Sequence, residues 1–158
     1  MVTIADHGLS LRVPSGWEAR MWVPDLPPPA INLPVVRLTN DAMPMTRNTY
    51  AVEESEKLRR SQVVASLVEF DPSLADIGLY APQGVPEFGA DDLDPRALQR
   101  AQEGRAGLQR FFSVNGRAFS LYVMARQGSD LARVIQELQD LLVTLTVAPV
   151  TPGEEASS

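Results

Sequence analysis

The sequence contains one turn whose chemistry sets the pairing of the two segments that flank it. Asn115-Gly116 lies between two stretches in which apolar and polar side chains alternate. Asn-Gly favours a two-residue hairpin loop, because both loop positions need a positive φ that these residues adopt at little cost. With these residues as the loop, Val114 is opposite Arg117 and Phe112 is opposite Phe119. The sequence therefore predicts an antiparallel hairpin of known register.

This register places large apolar side chains on one face of the hairpin, which is typical of strands that pack on a core. They are Leu108, Phe112, Val114, Phe119, Leu121 and Val123. Arg110 falls on the same face, where an unpaired charge is costly. We expect Arg110 to extend to the sheet edge or to pair with a carboxylate such as Glu69, and a binding role for Arg110 is the alternative.

A helix is predicted after the hairpin, over residues 130–142. Apolar side chains recur there at i, i+3, i+4, i+7, i+10 and i+11, so one side of the helix is apolar and the other is polar. Ser129 or Asp130 can cap its first turn. Residues 144–147 alternate in polarity and predict a short closing strand, which ends before Pro149.

The N-terminal half predicts further strands. Residues 8–23 are interpreted as a hairpin, because alternating segments flank a Pro-Ser-Gly turn. Residues 34–39 and 62–70 are predicted strands, and the second is apolar on both sides, as in a central strand. Residues 50–60 predict a short exposed helix, with a strand entry as the alternative.

The remaining segments are predicted to be largely irregular. Pro and Gly are frequent in residues 71–106, so only a short strand at 77–80 and a short helix starting at Pro95 are expected there. Consecutive prolines in residues 25–32 favour a stiff extended connector. Residues 149–158 form an acidic tail of disordered composition.

Together these elements predict a single α+β domain over residues 1–148, with an antiparallel sheet of five to seven strands and the 130–142 helix on one face. The segment LSLRVPSGW, from Leu9 to Trp17, resembles the strand–Pro–x–Gly–Trp opening of the Mog1/PsbP-like proteins. The hairpin, helix and final LVTLTV also resemble the closing segment of those families. The resemblance implies an α/β/α sandwich with helices on both faces of the sheet. Families of this shape serve photosystem assembly, GTPase binding and bacterial envelope roles, mostly without catalysis.

Composition argues against several classes of function. The net charge of −6 and the pI near 4.8 disfavour nucleic-acid binding, which needs clustered basic side chains. No apolar run is long enough to insert into a membrane, and no signal peptide is apparent, so a cytoplasmic location is expected. His7 is the only histidine and there is no cysteine, so no zinc cluster or Ser-His-Asp set is expected. We expect no cofactor, no metal and no enzymatic activity.

Two places on the predicted sheet are candidates for binding. Trp17 is in phase with the core, whereas Trp22 faces the other way and could anchor an interface. The second face of the hairpin carries Phe111, Tyr122 and Met124. An aromatic face needs a cover, which is either the chain's own 71–106 segment or a partner or ligand.

The absence of catalytic motifs and this aromatic face favour a non-catalytic protein-binding or scaffold module, as a subunit of a larger bacterial assembly. A protein partner is expected, and a homo-oligomer is possible. The alternatives are a carrier that holds a small ligand or lipid between the sheet and residues 71–106, and a hydrolase whose carboxylates meet only in the fold. The acidic residues Asp91, Asp92 and Asp94 lack calcium-loop spacing and are interpreted as a solvated loop that caps the following helix.

Overall fold

The computed structural model describes residues 1–29, 32–40, 58–98 and 102–149. Within these ranges the chain forms two antiparallel sheets and an α-helix. The three-stranded sheet has the order β1-β2-β8, and the five-stranded sheet has the order β3-β4-β5-β7-β6. The elements are β1 (Val2–Asp6), β2 (Leu9–Val13), β3 (Glu18–Trp22), β4 (Val35–Thr39), β5 (Val63–Phe70), β6 (Arg105–Val114), β7 (Arg117–Arg126), α1 (Leu131–Leu142) and β8 (Thr146–Val147).

The hairpin prediction is confirmed. Strands β6 and β7 pair with Val114 opposite Arg117 and Phe112 opposite Phe119. Asn115 and Gly116 have φ values of 51° and 77°, the left-handed conformation that the two-residue loop requires. The predicted strands at residues 34–39 and 62–70 are also confirmed as β4 and β5, and β5 lies at the centre of the five-stranded sheet.

The helix is confirmed as α1, and its predicted apolar side is buried. Asp130 occupies the cap position, but its side chain makes no capping hydrogen bond. Its main-chain N–H instead donates to Ser61 Oγ at 3.1 Å. The start of the helix is therefore tied to the segment that precedes β5.

The predicted N-terminal hairpin over residues 8–23 is wrong. Strands β2 and β3 belong to different sheets, because the turn between them carries the chain from one sheet to the other, with Trp17 N–H donating to the Pro14 carbonyl at 3.3 Å. β2 pairs instead with β1, across a turn formed by His7 and Gly8. The small sheet adds one strand, β1, that the sequence analysis did not predict.

The core lies between the five-stranded sheet and a layer formed by the small sheet and α1. Side chains from β2, alternate positions of β4, β5, β6 and β7, and the apolar side of α1 meet in one buried cluster. Trp17 belongs to it, as predicted. We call the opposite face of the five-stranded sheet the outer face, and all the site residues predicted above except Arg110 belong to it.

Residues 71–98 wrap around the free side of β6. Gln83 bridges to Ser113 at one end of β6 and Asp94 bridges to Gly107 towards the other. Between these bridges Phe88 enters the core and its N–H donates to Gln139 Oε1 of α1 at 2.8 Å. The expected strand at residues 77–80 is wrong, because Gly78–Tyr80 form a 3-10 turn.

The expected helix at Pro95 is shorter than predicted. Pro95–Ala97 form a 3-10 turn, and the Asp94 carboxylate accepts from Arg96 N–H at 2.8 Å. The tail beyond residue 149, most of the predicted 50–60 helix and part of the 25–32 connector lie outside the described residues. In the part of the chain that is described, no helix has the length and apolar character needed to cross a membrane.

Candidate functional site

Four of the five predicted binding residues share the outer face. Phe111 is opposite Ser120 on β7, and Tyr122 is opposite Gln109 on β6. Met124 follows two positions after Tyr122 and therefore points the same way. Trp22 lies on β3 at the far edge of the same face, and Arg110 lies on the core side of β6. The predicted register thus placed Phe111, Tyr122 and Met124 on one face of the hairpin, as observed, and β4 and β5 separate Trp22 from them.

Tyr122 and Met124 are covered by the chain itself. Each is 1% exposed, in a small cluster with Leu58 and Val64 against which Leu98 packs. The Tyr122 hydroxyl donates to the Ala97 carbonyl at 2.6 Å. Of the two covers considered above, the chain's own segment occupies this part of the face.

Phe111 is partly covered at the other end of the face. The Tyr80 ring packs edge-on against Phe111, with ring centres 5.5 Å apart, and also contacts Phe70 at 5.9 Å. Tyr80 is buried, whereas Phe70 and Phe111 are half-buried. Edge-to-face aromatic pairs add about 0.5–1.5 kcal/mol beyond the area they bury. The ring contacts of Tyr80 with Phe70 and Phe111 therefore hold residues 72–80 on the sheet.

Trp22 stacks over a buried arginine that the sequence analysis missed. The Arg37 guanidinium lies 5.1 Å from the Trp22 ring centre, and Arg37 Nε donates to Ser66 Oγ at 3.0 Å. Arg37 is 0% exposed. Its position after two apolar residues of a predicted strand gave no sign that an arginine would be buried there. A cation over an indole face is attracted by the ring's negative potential. Trp22 is therefore half-buried as part of a structural pair.

Of the two placements expected for Arg110, the sheet edge is confirmed and the pairing with Glu69 is wrong. Arg110 is half-buried at the sheet edge, and its guanidinium donates to the Gln109 carbonyl at 3.1 Å. Glu69 pairs instead with Arg117, because those two residues lie at the same end of β5 and β7. Arg117 Nε donates to Glu69 Oε2 at 2.9 Å, and Arg117 Nη2 donates to Glu69 Oε1 at 2.6 Å.

Arg117 uses all five of its N–H donors. Beyond the two bonds to Glu69, its guanidinium donates to the carbonyls of His7 at 2.9 Å, Gly8 at 3.4 Å and Ala148 at 3.1 Å. We call Arg117, Glu69 and these three carbonyls the arginine clamp. A Cβ at Gly8 would lie 2.6 Å from Arg117 Nη1, so the position needs glycine for space as well as for its φ of 76°. The clamp joins the two sheets.

Little in the described residues points to catalysis. His7 sits in the β1–β2 turn, with Nε2 3.5 Å from Asp6 Oδ2. Among the described residues, no three His, Asp or Glu side chains come together as metal ligands would. Asp92 and Asp94 each accept a hydrogen bond from the main chain of their own loop, as expected for a solvated turn.

The feature that sequence analysis missed is the loop of residues 72–80, which exposes large aliphatic side chains. Leu74 is 40% exposed, Ile77 61% and Leu79 67%. Ile77 lies between Asp76 and Gly78, whose φ values of 68° and 56° bend the chain on either side of it. The Pro and Gly content of this segment predicted an irregular loop, but no pattern indicated which of its side chains face solvent.

Ser113 of β6 holds this loop from beneath. Its hydroxyl accepts from Asp76 N–H at 2.9 Å and donates to the Tyr80 carbonyl at 2.6 Å, and its side chain is fully buried. Main-chain bonds from Ser113 N–H to the Pro82 carbonyl and from Gly84 N–H to the Ser113 carbonyl, each 2.8 Å, fix the end of the loop. The 72–80 loop is therefore anchored at both ends and at its centre.

We expect Ser113→Ala to lower the free energy of unfolding by about 1–3 kcal/mol, because it leaves the buried Tyr80 carbonyl and the partly buried Asp76 N–H without their partner. Hydrogen exchange at the Asp76 amide should also become faster. Urea denaturation and exchange measured by NMR check both effects. Ser73→Ala in the same loop is the matched control, since the Ser73 side chain is exposed, and should change stability by less than about 0.5 kcal/mol. Unchanged exchange at Asp76 in the Ser113 variant would contradict the anchoring role.

Comparisons of the chain with known proteins do not assign it to a family. No family model, no curated protein and no solved structure matches the chain.

Proposed function

We propose that this chain is a non-catalytic protein-binding or scaffold module that docks a protein partner on the 72–80 loop. The observation that carries the proposal is the exposure of Leu74, Ile77 and Leu79 on a loop that the fold holds in place. Scattered exposed apolar residues are ordinary on protein surfaces, but three within one anchored turn form a contact patch. The earlier candidate Phe111 then acts from beneath as a support of this surface, through its contact with the Tyr80 ring.

The anchoring of the loop favours binding. A partner that docks on a mobile loop must also overcome the entropy lost on ordering it, whereas a loop already held in its bound form loses little. The Ser113 hydroxyl and the Tyr80 ring supply this order in the free protein. The apolar side chains can therefore contribute most of their desolvation free energy to association.

The charge around the loop indicates the kind of partner. Residues 72–80 carry no basic side chain, and the longer segment 71–98 contains six acidic side chains and one basic side chain, Arg96. Asp71 and Asp76 lie within or beside the loop itself. Complementary potentials speed association and reject wrong partners. The surface fits a partner with an apolar pocket and a basic rim.

A variant with Leu74→Ser, Ile77→Ser and Leu79→Ser should keep the fold and lose at least about tenfold in affinity for its partner, since central apolar contacts dominate interface energies. The partner is identified by crosslinking in the native host, and its affinity for purified wild-type and variant proteins is measured by calorimetry.

Val143→Ser, an equally exposed apolar position at the end of α1 with 60% exposure, is the control and should bind as the wild type does. Equal affinity of the triple variant and the wild type would contradict the proposal. A parallel loss in the Val143 variant would show that the effect is not specific to the loop.

We further propose that the fold is a variant of the Mog1/PsbP-like α/β/α sandwich. The five-stranded antiparallel sheet, α1 after the β6–β7 hairpin and the Trp17 turn after β2 support it. On the outer face, the described residues that cover the sheet form 3-10 turns where that family has helices. An experimental structure that includes residues 41–57 tests the assignment, and a sheet without a helix over the β3–β4 side of the outer face would argue against it.

A further inference from the structure

The hairpin loop carries the only Asn-Gly pair of the sequence. An asparagine amide that precedes glycine is open to attack by the next main-chain nitrogen, because glycine has no side chain to hinder the approach. Asn115 and Gly116 are both exposed, and a Cβ built on Gly116 would meet nothing within 4 Å. Water therefore reaches the amide and the nitrogen that attacks it, so the loop holds the reactants of a deamidation.

This reaction needs water and no other reactant. The Gly116 nitrogen gives up its proton and forms a bond to Asn115 Cγ, and the Cγ–Nδ2 bond breaks as the amide nitrogen leaves with a proton as ammonia. The product is a five-membered succinimide ring. Water then adds to one of the two ring carbonyl carbons and breaks the bond from that carbon to nitrogen, which leaves aspartate or isoaspartate at position 115. A neutral amide is thus replaced by a carboxylate.

The fold holds this amide in place through β8. Asn115 Nδ2 donates to the Val147 carbonyl at 2.6 Å. The Ala148 N–H donates to the Gly8 carbonyl at 2.8 Å, so that pair carries the ladder bonds and Val147, one residue earlier, does not. The Val147 carbonyl therefore points away from β2, and the Asn115 amide is its donor. While this bond lasts, Asn115 Cγ is not free to turn onto the Gly116 nitrogen.

Strand β8 can open while the rest of the fold stays closed. It is two residues long, and its ladder partner is β2. Two contacts hold it, namely the packing of the buried Val147 side chain and the bond from Arg117 to the Ala148 carbonyl. Short segments with few contacts open at a lower free energy than the whole domain. Opening of β8 breaks the bond from Asn115 and releases its amide for reaction.

The product changes what β8 meets when it returns. A carboxylate has no N–H, so the Val147 carbonyl loses its donor and faces a negative charge. Isoaspartate also lengthens the main chain of a loop whose two residues set the hairpin register. Arg117 does not offset the new charge without loss, because its five donors already bind Glu69 and three carbonyls. The modified loop therefore disfavours the docked β8.

We propose that Asn115 is a site of spontaneous deamidation, which is closed while β8 is docked, opens with β8 and then keeps β8 from docking again. The change runs in one direction, since ammonia is lost to solvent. It gives the three-stranded sheet a chemical lifetime that depends on how often β8 opens. The site is separate from the 72–80 loop, so its test does not depend on the function proposed above.

The reaction is followed on the full-length protein at neutral pH, by peptide mapping with mass spectrometry that separates aspartate from isoaspartate. The reference is the unstructured capped peptide Ser-Val-Asn-Gly-Arg-Ala under the same conditions. We expect Asn115 to react at least about tenfold more slowly in the protein, because only the open fraction reacts. Val147→Ala should speed the reaction in the protein at least about threefold, since the rate of a slow step follows the open population.

Val36→Ala in β4 is the matched control. Val36 is as deeply buried as Val147 but lies in the five-stranded sheet. Its truncation lowers the stability of the whole domain and leaves β8 docked, so the reaction rate should change by less than about twofold. The proposal is overturned by equal rates in protein and peptide, by no acceleration in the Val147 variant, or by equal acceleration in the two variants.

The effect of the product is tested with Asn115→Asp, which keeps a loop sequence that two-residue hairpins favour. We expect hydrogen exchange at the Ala148 amide, which marks the docked β8, to become at least about tenfold faster. Asn115→Gly is the matched control, because it keeps the loop and removes the donor without adding a charge, and its effect should be smaller. Exchange at Ala148 that is as slow in the Asp variant as in the wild type would also overturn the proposal.

Discussion

Replacing Arg117 with Met should lower the free energy of unfolding by about 3–5 kcal/mol, the range for removing one member of a buried ion pair. The Arg117 and Glu69 side chains are 8% and 3% exposed, so Glu69 would be left as an unpaired buried carboxylate. The carbonyls of His7 and Ala148 would lose the Arg117 donor at the same time, and the Gly8 carbonyl would keep only its bond from Ala148 N–H at 2.8 Å. Guanidinium denaturation followed by tryptophan fluorescence measures the change.

The double variant Arg117→Met and Glu69→Met separates the two parts of the arginine clamp. Replacing a whole buried ion pair by apolar residues is often neutral. Here the three carbonyls still lack the bonds from Arg117, although Gly8 keeps its bond from Ala148 N–H, so we expect stability to recover only in part. Full recovery would show that the ion pair matters and the three carbonyl bonds do not. Arg110→Met is the control, since Arg110 is half-buried with one main-chain bond, and should change stability by less than about 1 kcal/mol.

Phe112→Ala should cost about 3–5 kcal/mol, the usual range for truncating a fully buried aromatic residue. Phe112 is 1% exposed and stacks on Phe119 with ring centres 5.6 Å apart. Phe111→Ala is the matched control, because the adjacent side chain is half-buried on the outer face and should cost less than half as much. Chemical denaturation of both variants measures the difference.

This pair of variants also tests the hairpin register. A shift of one residue would move Phe112 to the outer face and Phe111 into the core, because side chains alternate along a strand. Equal destabilisation by the two substitutions would therefore contradict the placement of the hairpin in the fold.

The parts of the fold that could be predicted from sequence are those set by local chemistry. The Asn115-Gly116 loop determines the β6–β7 register on its own, and the spacing of leucines predicts α1. Strand β1 could not be predicted in the same way, because its VTIAD segment is short and only Val2 and Ile4 share an apolar face. The sheet change after Pro14 depends on where Trp17 packs, which is a property of the whole core.

The candidate site could likewise be predicted only where local sequence determines the contacts. The hairpin register that places Arg110 on the core side also places Arg117 there, next to Phe119. The sequence could therefore have predicted that Arg117 is buried and needs a carboxylate partner. Which arginine meets Glu69 depends on how β5 lies against β7, and that pairing joins residues 48 positions apart. The exposed Leu74, Ile77 and Leu79 carry no periodic pattern, since a loop's side-chain directions follow from its anchors.

The wrap of residues 71–98 around β6 has a consequence for synthesis of the chain. This segment leaves the ribosome before the strand that it encloses, and its contacts at Gly107, Ser113 and Gln139 are all made later. The three-stranded sheet is likewise complete only when β8, the last strand described, pairs with β2. Non-local pairing of this kind delays folding and leaves apolar surface open in the meantime. The nascent chain therefore completes its core only after its C-terminal strand has emerged, and its dependence on chaperones should be greatest during translation.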